Sequence, residues 1–147
     1  MKVRWRSVSS MYYLDANVFI SAVIDAQTLG DNSGLILDKI ARKELSCTTS
    51  LLTLDEVCYV IGQNKDRRTA IRFCENFLEL PINFVNVDRQ IMASSFDLMK
   101  EFPLLPRDAI HAATAKSRYL TKIISEDADF DKLPEFQRLT IAQAARL

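Results

Sequence analysis

Four acidic residues recur where short apolar runs give way to helix or loop. Asp15 follows Tyr12, Tyr13 and Leu14; Glu56 lies about two turns into the helix after a second strand; Asp108 falls in the first turn of a helix opening at Pro106; Asp127 follows a strand at 122–125, with Asp129 close behind. Crowded carboxylates repel one another and lose hydration, so each needs a counter-charge or a proton. Apart from Arg107, no lysine or arginine is regularly placed beside them. Mg²⁺ and Mn²⁺ favour oxygen ligands and would answer that need. Water on such a cation is easier to deprotonate, the cation neutralises phosphoryl charge, and two ions about 3.5–4 Å apart can hold both oxygens of an in-line displacement. The chemistry open to such a set is metal-assisted phosphodiester hydrolysis. Each acid also has a plainer use. Asp15 is a good N-cap, Asp108 is a favourable charge at a helix N-terminus, and Glu56, Asp127 and Asp129 are residue types usually found in solvent.

The chemistry requires elements that bring these acids to one rim. Residues 12–14 read as a short buried strand, followed by a helix over 18–26. Residues 28–34 hold two of the three glycines and read as a loop, from which Asn32 or Ser33 caps a helix over 35–43. A second strand is expected over 45–49. Ser50 then caps a helix over 51–63, with Leu51, Leu54, Val57, Cys58 and Ile61 on one face and Glu56 beside it. A helix over 65–80 stops at Pro81, a third strand covers 82–87, and Asp88 caps a helix to about residue 100. Pro106 stands at the start of a helix over 107–119. A fourth strand at 122–125, an acidic loop over 126–134 and an edge strand at 139–141 complete the chain. Strands alternating with helices indicate an α/β domain with a mainly parallel sheet. Ligands of such sheets bind at the carboxyl ends of the strands. A single domain over 11–147 is expected, preceded by a polar, basic extension at 1–10.

Bulk composition narrows the classes. The 147 residues fit one domain, and 48% hydrophobic content suits a packed globule. The formal net charge is zero, which argues against binding nucleic acid by bulk charge, though not against gripping a few phosphates through a local patch. No apolar run is long enough to span a bilayer, and no signal-peptide core follows the basic start, so a cytoplasmic protein without membrane partners is expected. Cys47, Cys58 and Cys74 lack metal-ligand or disulfide spacing and read as small core groups.

Four segments together resemble the PIN-domain nucleases, and most closely the VapC-type toxins of toxin–antitoxin pairs. They are Tyr13-Leu-Asp15-Ala-Asn17-Val-Phe19, Ser50-Leu-Leu-Thr-Leu-Asp-Glu56-Val57, Pro106-Arg-Asp108-Ala-Ile-His-Ala-Ala-Thr-Ala115 and Ile123-Ile-Ser125-Glu-Asp127-Ala-Asp129-Phe130. The likeness runs from Met11 to about Leu133. It implies a Rossmann-like three-layer α/β/α sandwich and a Mg²⁺- or Mn²⁺-dependent endoribonuclease, with Asp15, Glu56, Asp108 and Asp127 as catalytic and metal-binding acids. Asp129 falls where the family often has a further acid, and Asn17 and Ser125 match its supporting polar positions. The resemblance further implies an RNA substrate, a homodimer and a protein antitoxin. Residues 1–10 and the last dozen residues lie outside its motifs.

Some residues keep a modest assignment. His111, the only histidine, is one turn from Asp108 and reads as a packing residue beside Ala109, Ala112 and Ala113, because activated water already supplies a nucleophile. Lys65, Arg67, Arg68 and Arg72 read as a solvated helix face, while Arg107, beside Asp108, is the better candidate for an RNA phosphate contact. Two other classes compete: a stand-alone PIN nuclease of RNA processing, and a non-catalytic metal- or RNA-binding module. A phosphatase with an aspartyl nucleophile is disfavoured by Asn17, where such a motif needs a second Asp.

Overall fold

The computed structural model describes residues 11–147; the expected extension at 1–10 lies outside them. Three strands, β1 (Tyr12–Leu14), β2 (Cys47–Ser50) and β3 (Asn83–Val85), run outward from the sheet centre in one direction. Two more, β4 (Lys122–Ile124) and β5 (Gln137–Leu139), extend it in the other. The order is β3-β2-β1-β4-β5, and every pairing is parallel. The direction of winding reverses at β1. That creates a crevice at the carboxyl ends of β1 and β4, where open α/β sheets take their ligands.

Helices cover both faces. On one lie α1 (Ala16–Ile24), α2 (Thr28–Ala41), α3 (Leu52–Asn64), α4 (Arg67–Leu78) and, near the C-terminus, α7 (Ile141–Ala144). On the other lie α5 (Arg89–Glu101), α6 (Pro106–Ser117) and a 3₁₀ turn at Ala128–Lys132. The alternation of β1 divides the core: Tyr12 and Leu14 pack with Val18, Ile36, Ile40, Val57 and Ile61, whereas Tyr13 packs with Ile91, Ala109, Ala112, Ile123 and Phe130. The expected three-layer α/β/α sandwich is therefore the fold, with an entirely parallel sheet.

Most boundaries shift by a few residues because helix ends are fixed by local capping. Asp88 caps α5 as expected, accepting from Ile91 N–H at 2.8 Å. Asp66 caps α4 by accepting from Thr69 N–H at 2.7 Å, which moves its start to Arg67. Ser50 ends β2, and its hydroxyl accepts from Leu52 N–H at 3.1 Å.

Three expectations need correction. The segment 28–34 is helical, not a loop. Asp25 Oδ1 accepts from the backbone N–H groups of Gln27 and Gly30, at 2.8 and 3.2 Å, and organises the first turn of α2. Gly30 is a close-approach residue, since a Cβ there would stand 1.9 Å from the Asp25 carbonyl oxygen. The acidic loop contains the 3₁₀ turn, and the edge strand lies at 137–139, leaving Thr140 to cap α7 through a capping box with Gln143. No described helix is long and apolar enough to cross a membrane.

Candidate active site

Asp15 stands at the junction of β1 and α1 and performs two tasks. Its Oδ1 caps α1 by accepting from Ala16 N–H at 2.7 Å. Its Oδ2 accepts from the Ser125 hydroxyl at 2.5 Å and from Asn17 Nδ2 at 3.2 Å. The cap and the site are thus the same carboxylate. Ser125, at the end of β4, also accepts from Asp127 N–H at 2.9 Å and from Asn17 Nδ2 at 3.2 Å. One buried hydroxyl therefore ties the acids that follow the two strands of the crevice. Asp127 in turn caps the 3₁₀ turn by accepting from Asp129 N–H at 2.9 Å.

The acids gather as two adjoining groups. Oxygens of Asp108, Asp127 and Asp129 can lie within 4.8 Å of one another, as can ligand atoms of Asp15, Glu56 and His111. Asp108 joins the groups electrostatically. Burial, then the negative charges of Asp127 and Asp15, push its carboxyl up to about 7. Its helix, α6, is buried continuously from Asp108 to Ala115, and the small side chains of Ala109, Ala112, Ala113 and Ala115 let it approach the sheet.

His111 is buried, as its alanine neighbours imply, but it does not merely fill space. Its Nε2 lies 3.4 Å from Asp15 Oδ1 and 3.6 Å from Glu56 Oε2, and its Nδ1 lies 2.7 Å from the Tyr13 hydroxyl. Burial alone would lower its pKa; the Tyr13, Glu56 and Asp15 side chains reverse this and hold it well above the ordinary value. The same ring, against the cost of burial and with help from Arg107, holds Glu56 below its usual range.

Two basic side chains enter the group. Arg107 Nη1 is 3.5 Å from Glu56 Oε1, half exposed at the mouth of a small cleft lined by Leu52, Asp55, Glu56, Ile110 and His111. Lys132 Nζ is 2.8 Å from Asp129 Oδ1, so the expectation that Arg107 is the only nearby cation fails at Asp129, the outermost acid. Arg138, which no motif singles out, grips Asp131 through Nε and Nη2, both at 2.9 Å, and donates from Nη1 to the Ser125 carbonyl at 3.2 Å. It braces the strand end that carries Ser125. Lys65, Arg67, Arg68 and Arg72 remain an exposed face of α4 and its approach, away from the acids.

The donor set fits a hard divalent cation. It is dominated by carboxylate oxygens from separate segments, and beside it Asn17, whose Nδ2 meets Asp15, keeps a buried Oδ1 with no hydrogen-bond partner among the described residues. Asn17 cannot relieve this by turning its amide over, because Asp15 requires the Nδ2 donor.

The PIN domain family model matches residues 12–135. No curated protein sequence matches the chain. Among solved structures the chain is similar to VapBC2 from Rickettsia felis bound to a DNA fragment of its promoter. Identity is 17%, the TM-score 0.69, and the alignment covers 88% of this chain and 98% of that one. A toxin–antitoxin complex from Klebsiella pneumoniae gives 21% identity, a TM-score of 0.63 and coverages of 88% and 97%. VapC20 from Mycobacterium tuberculosis, titled a sarcin–ricin loop cleaving toxin, gives 14%, 0.68, and coverages of 83% and 93%. At these identities the likeness is one of fold.

Proposed function

The chain belongs to the PIN domain family, and we propose that it is a Mg²⁺- or Mn²⁺-dependent endoribonuclease, the toxin of a toxin–antitoxin pair acting in the cytoplasm. The observation that carries this reading is the convergence of Asp15, Glu56, Asp108 and Asp127 from four separate segments, with Asp108 driven toward protonation by its neighbours. A carboxyl kept at that electrostatic cost needs a use, and gathering a dication is the use the cluster's chemistry fits.

In this reading Asp15, Glu56, Asp108 and Asp127 would hold the cation, and Asp129 would join them on leaving Lys132. When bound, such a cation would lower the pKa of a water and offset charge on the phosphoryl group. Asn17 and Ser125 orient Asp15, and Ser125 fixes the backbone that presents Asp127. Arg107, 57% exposed and resting on Glu56, is placed to leave that carboxylate and take an RNA phosphate. The antitoxin assignment is supported by the VapBC and toxin–antitoxin complexes among the structural neighbours. A homodimer is supported by the exposed apolar side chains on α3 and α4, among them Leu52, Tyr59, Ile71 and Leu78.

The test is cleavage of a panel of structured RNAs with Mg²⁺, with Mn²⁺ and with EDTA. Cleavage that requires the metal and is lost in Asp15→Asn and Asp108→Asn is the expected result. Cleavage that survives EDTA refutes the metal chemistry. Metal binding without cleavage of any RNA would favour the non-catalytic module.

A further inference from the structure

The grouping of Asp15, Glu56 and His111 invites a mixed nitrogen–oxygen metal site, of the kind that suits zinc, copper or nickel. The hydrogen bonds behind the ring point elsewhere. We propose that Tyr13 fixes His111 with its proton on Nε2, so that the imidazole serves as a donor between Asp15 and Glu56 and not as a ligand. Tyr13 thereby keeps the ligand set all-oxygen and reserves it for hard cations. This rests on the metal-dependent reading above.

The hydrogen-bond inventory around the Tyr13 hydroxyl decides the tautomer. The Tyr13 side chain is fully buried. Its hydroxyl accepts from Ser50 N–H at 3.2 Å and meets His111 Nδ1 at 2.7 Å. A phenol has one proton to give. With Ser50 already donating to it, that proton goes to Nδ1, which leaves the neutral ring protonated on Nε2. The opposite tautomer would make the hydroxyl accept twice and strand its own proton in the core with no acceptor among the described residues. It would also aim a bare Nε2 lone pair at carboxylate oxygens 3.4 and 3.6 Å away. In the charged ring both nitrogens carry protons and neither can bind a metal; Tyr13 selects between the tautomers of the neutral ring, the only form that offers a lone pair. Histidines that bind metals commonly give their second N–H to a carboxylate, carbonyl or water; here the second nitrogen instead faces a hydroxyl whose free proton points at it. Tyr13 is therefore a positioning residue, acting on the site through His111.

Because the chain has a single histidine, its ring nitrogens can be observed without ambiguity by long-range ¹H–¹⁵N NMR on the metal-free protein. Recorded at a pH where the ring is neutral, the expected spectrum shows Nε2 protonated and Nδ1 bare, and Nε2 stays protonated when Mg²⁺ or Zn²⁺ is added. In Tyr13→Phe the ring should populate the Nδ1–H form, and affinity for Zn²⁺ relative to Mg²⁺ should rise by about tenfold or more, the scale on which outer-sphere partners act. A bare Nε2 in the wild-type protein, or Zn²⁺ bound through Nε2 there, would overturn the proposal. So would an unchanged Zn²⁺ preference in a folded Tyr13→Phe. Should that variant fail to fold, the wild-type spectra with and without Zn²⁺ still decide. Wild-type protein that shows the Nε2 proton but cleaves no RNA supports the role of Tyr13 and removes the nuclease reading alone.

Discussion

Asp108 sets the pH behaviour of the site. Its carboxyl is raised to about 7 by burial and by Asp127 and Asp15, whereas an unfolded Asp titrates near ~3.9. Between those values the folded chain holds a proton that the unfolded chain has lost, so stability falls as pH rises through the window. The raised His111 acts in the same direction at higher pH. Metal-free protein should therefore melt at a lower temperature near ~pH 8 than near ~pH 5.5, and saturating Mg²⁺ should narrow the gap, because a cation binds the ionised acid. A melting temperature that is flat or rises over this range contradicts the arrangement. Ser125 gives a second residue-scale prediction. Its hydroxyl bonds Asp15 and Asp127 together, so Ser125→Ala should weaken Mn²⁺ binding by about 10–100-fold. Equal affinity would mean that the acids hold their geometry without it. Asp15, Asp108 and Asp127 were legible in the sequence, since each stands where a strand ends or a helix begins, and Glu56 was legible from its place beside the apolar face of its helix. The part of His111 was not, because a lone histidine on an alanine-rich helix carries no periodic signal and its partner Tyr13 is 98 positions away.

At the scale of elements, α2 shows why composition misleads. Gly30, Asn32 and Gly34 read as loop chemistry, yet the segment is helical. Gly30 is there because α2 begins against the Asp25 carbonyl, and Gly34 has nothing within 4 Å of where a Cβ would stand. Two substitutions of the same kind should thus differ in sign. Gly34→Ala should stabilise the chain by about 0.5–1 kcal/mol, the ordinary helix-interior preference for alanine. Gly30→Ala should destabilise it by about 1–3 kcal/mol, the usual cost of overpacking. Denaturant unfolding of both variants measures this, and a shared sign would refute the close approach. Strands β1 to β4 and helices α1 and α3 to α6 were readable because hydrophobic periodicity and caps such as Asp88 act locally. Arg138 was not, because its value lies in joining β5 to the end of β4, a pairing that only the folded sheet creates.

At the scale of the whole molecule, the parallel order β3-β2-β1-β4-β5 puts the reversal of winding beside Asp15, and this brings distant acids to one crevice. Strand–helix alternation made that architecture foreseeable; how the acids divide, with Lys132 on Asp129 and Arg107 on Glu56, required the coordinates. A net charge of zero means that any hold on RNA is local, as Arg107 would provide. The exposed Tyr59 and Ile71 lead to one assembly prediction: light scattering should give twice the chain mass for the wild type and the single-chain mass for Tyr59→Glu/Ile71→Glu. A wild-type monomer would remove the dimer from the account.

The most direct test of the central claim is calorimetric titration of Mn²⁺ into the metal-free protein near neutral pH, in buffers of different ionisation heat. The account predicts saturable binding with proton release, and affinity reduced by more than the ~100-fold upper range of outer-sphere effects in Asp108→Asn. No binding by the wild-type chain, or equal binding by a folded Asp108→Asn, would contradict it.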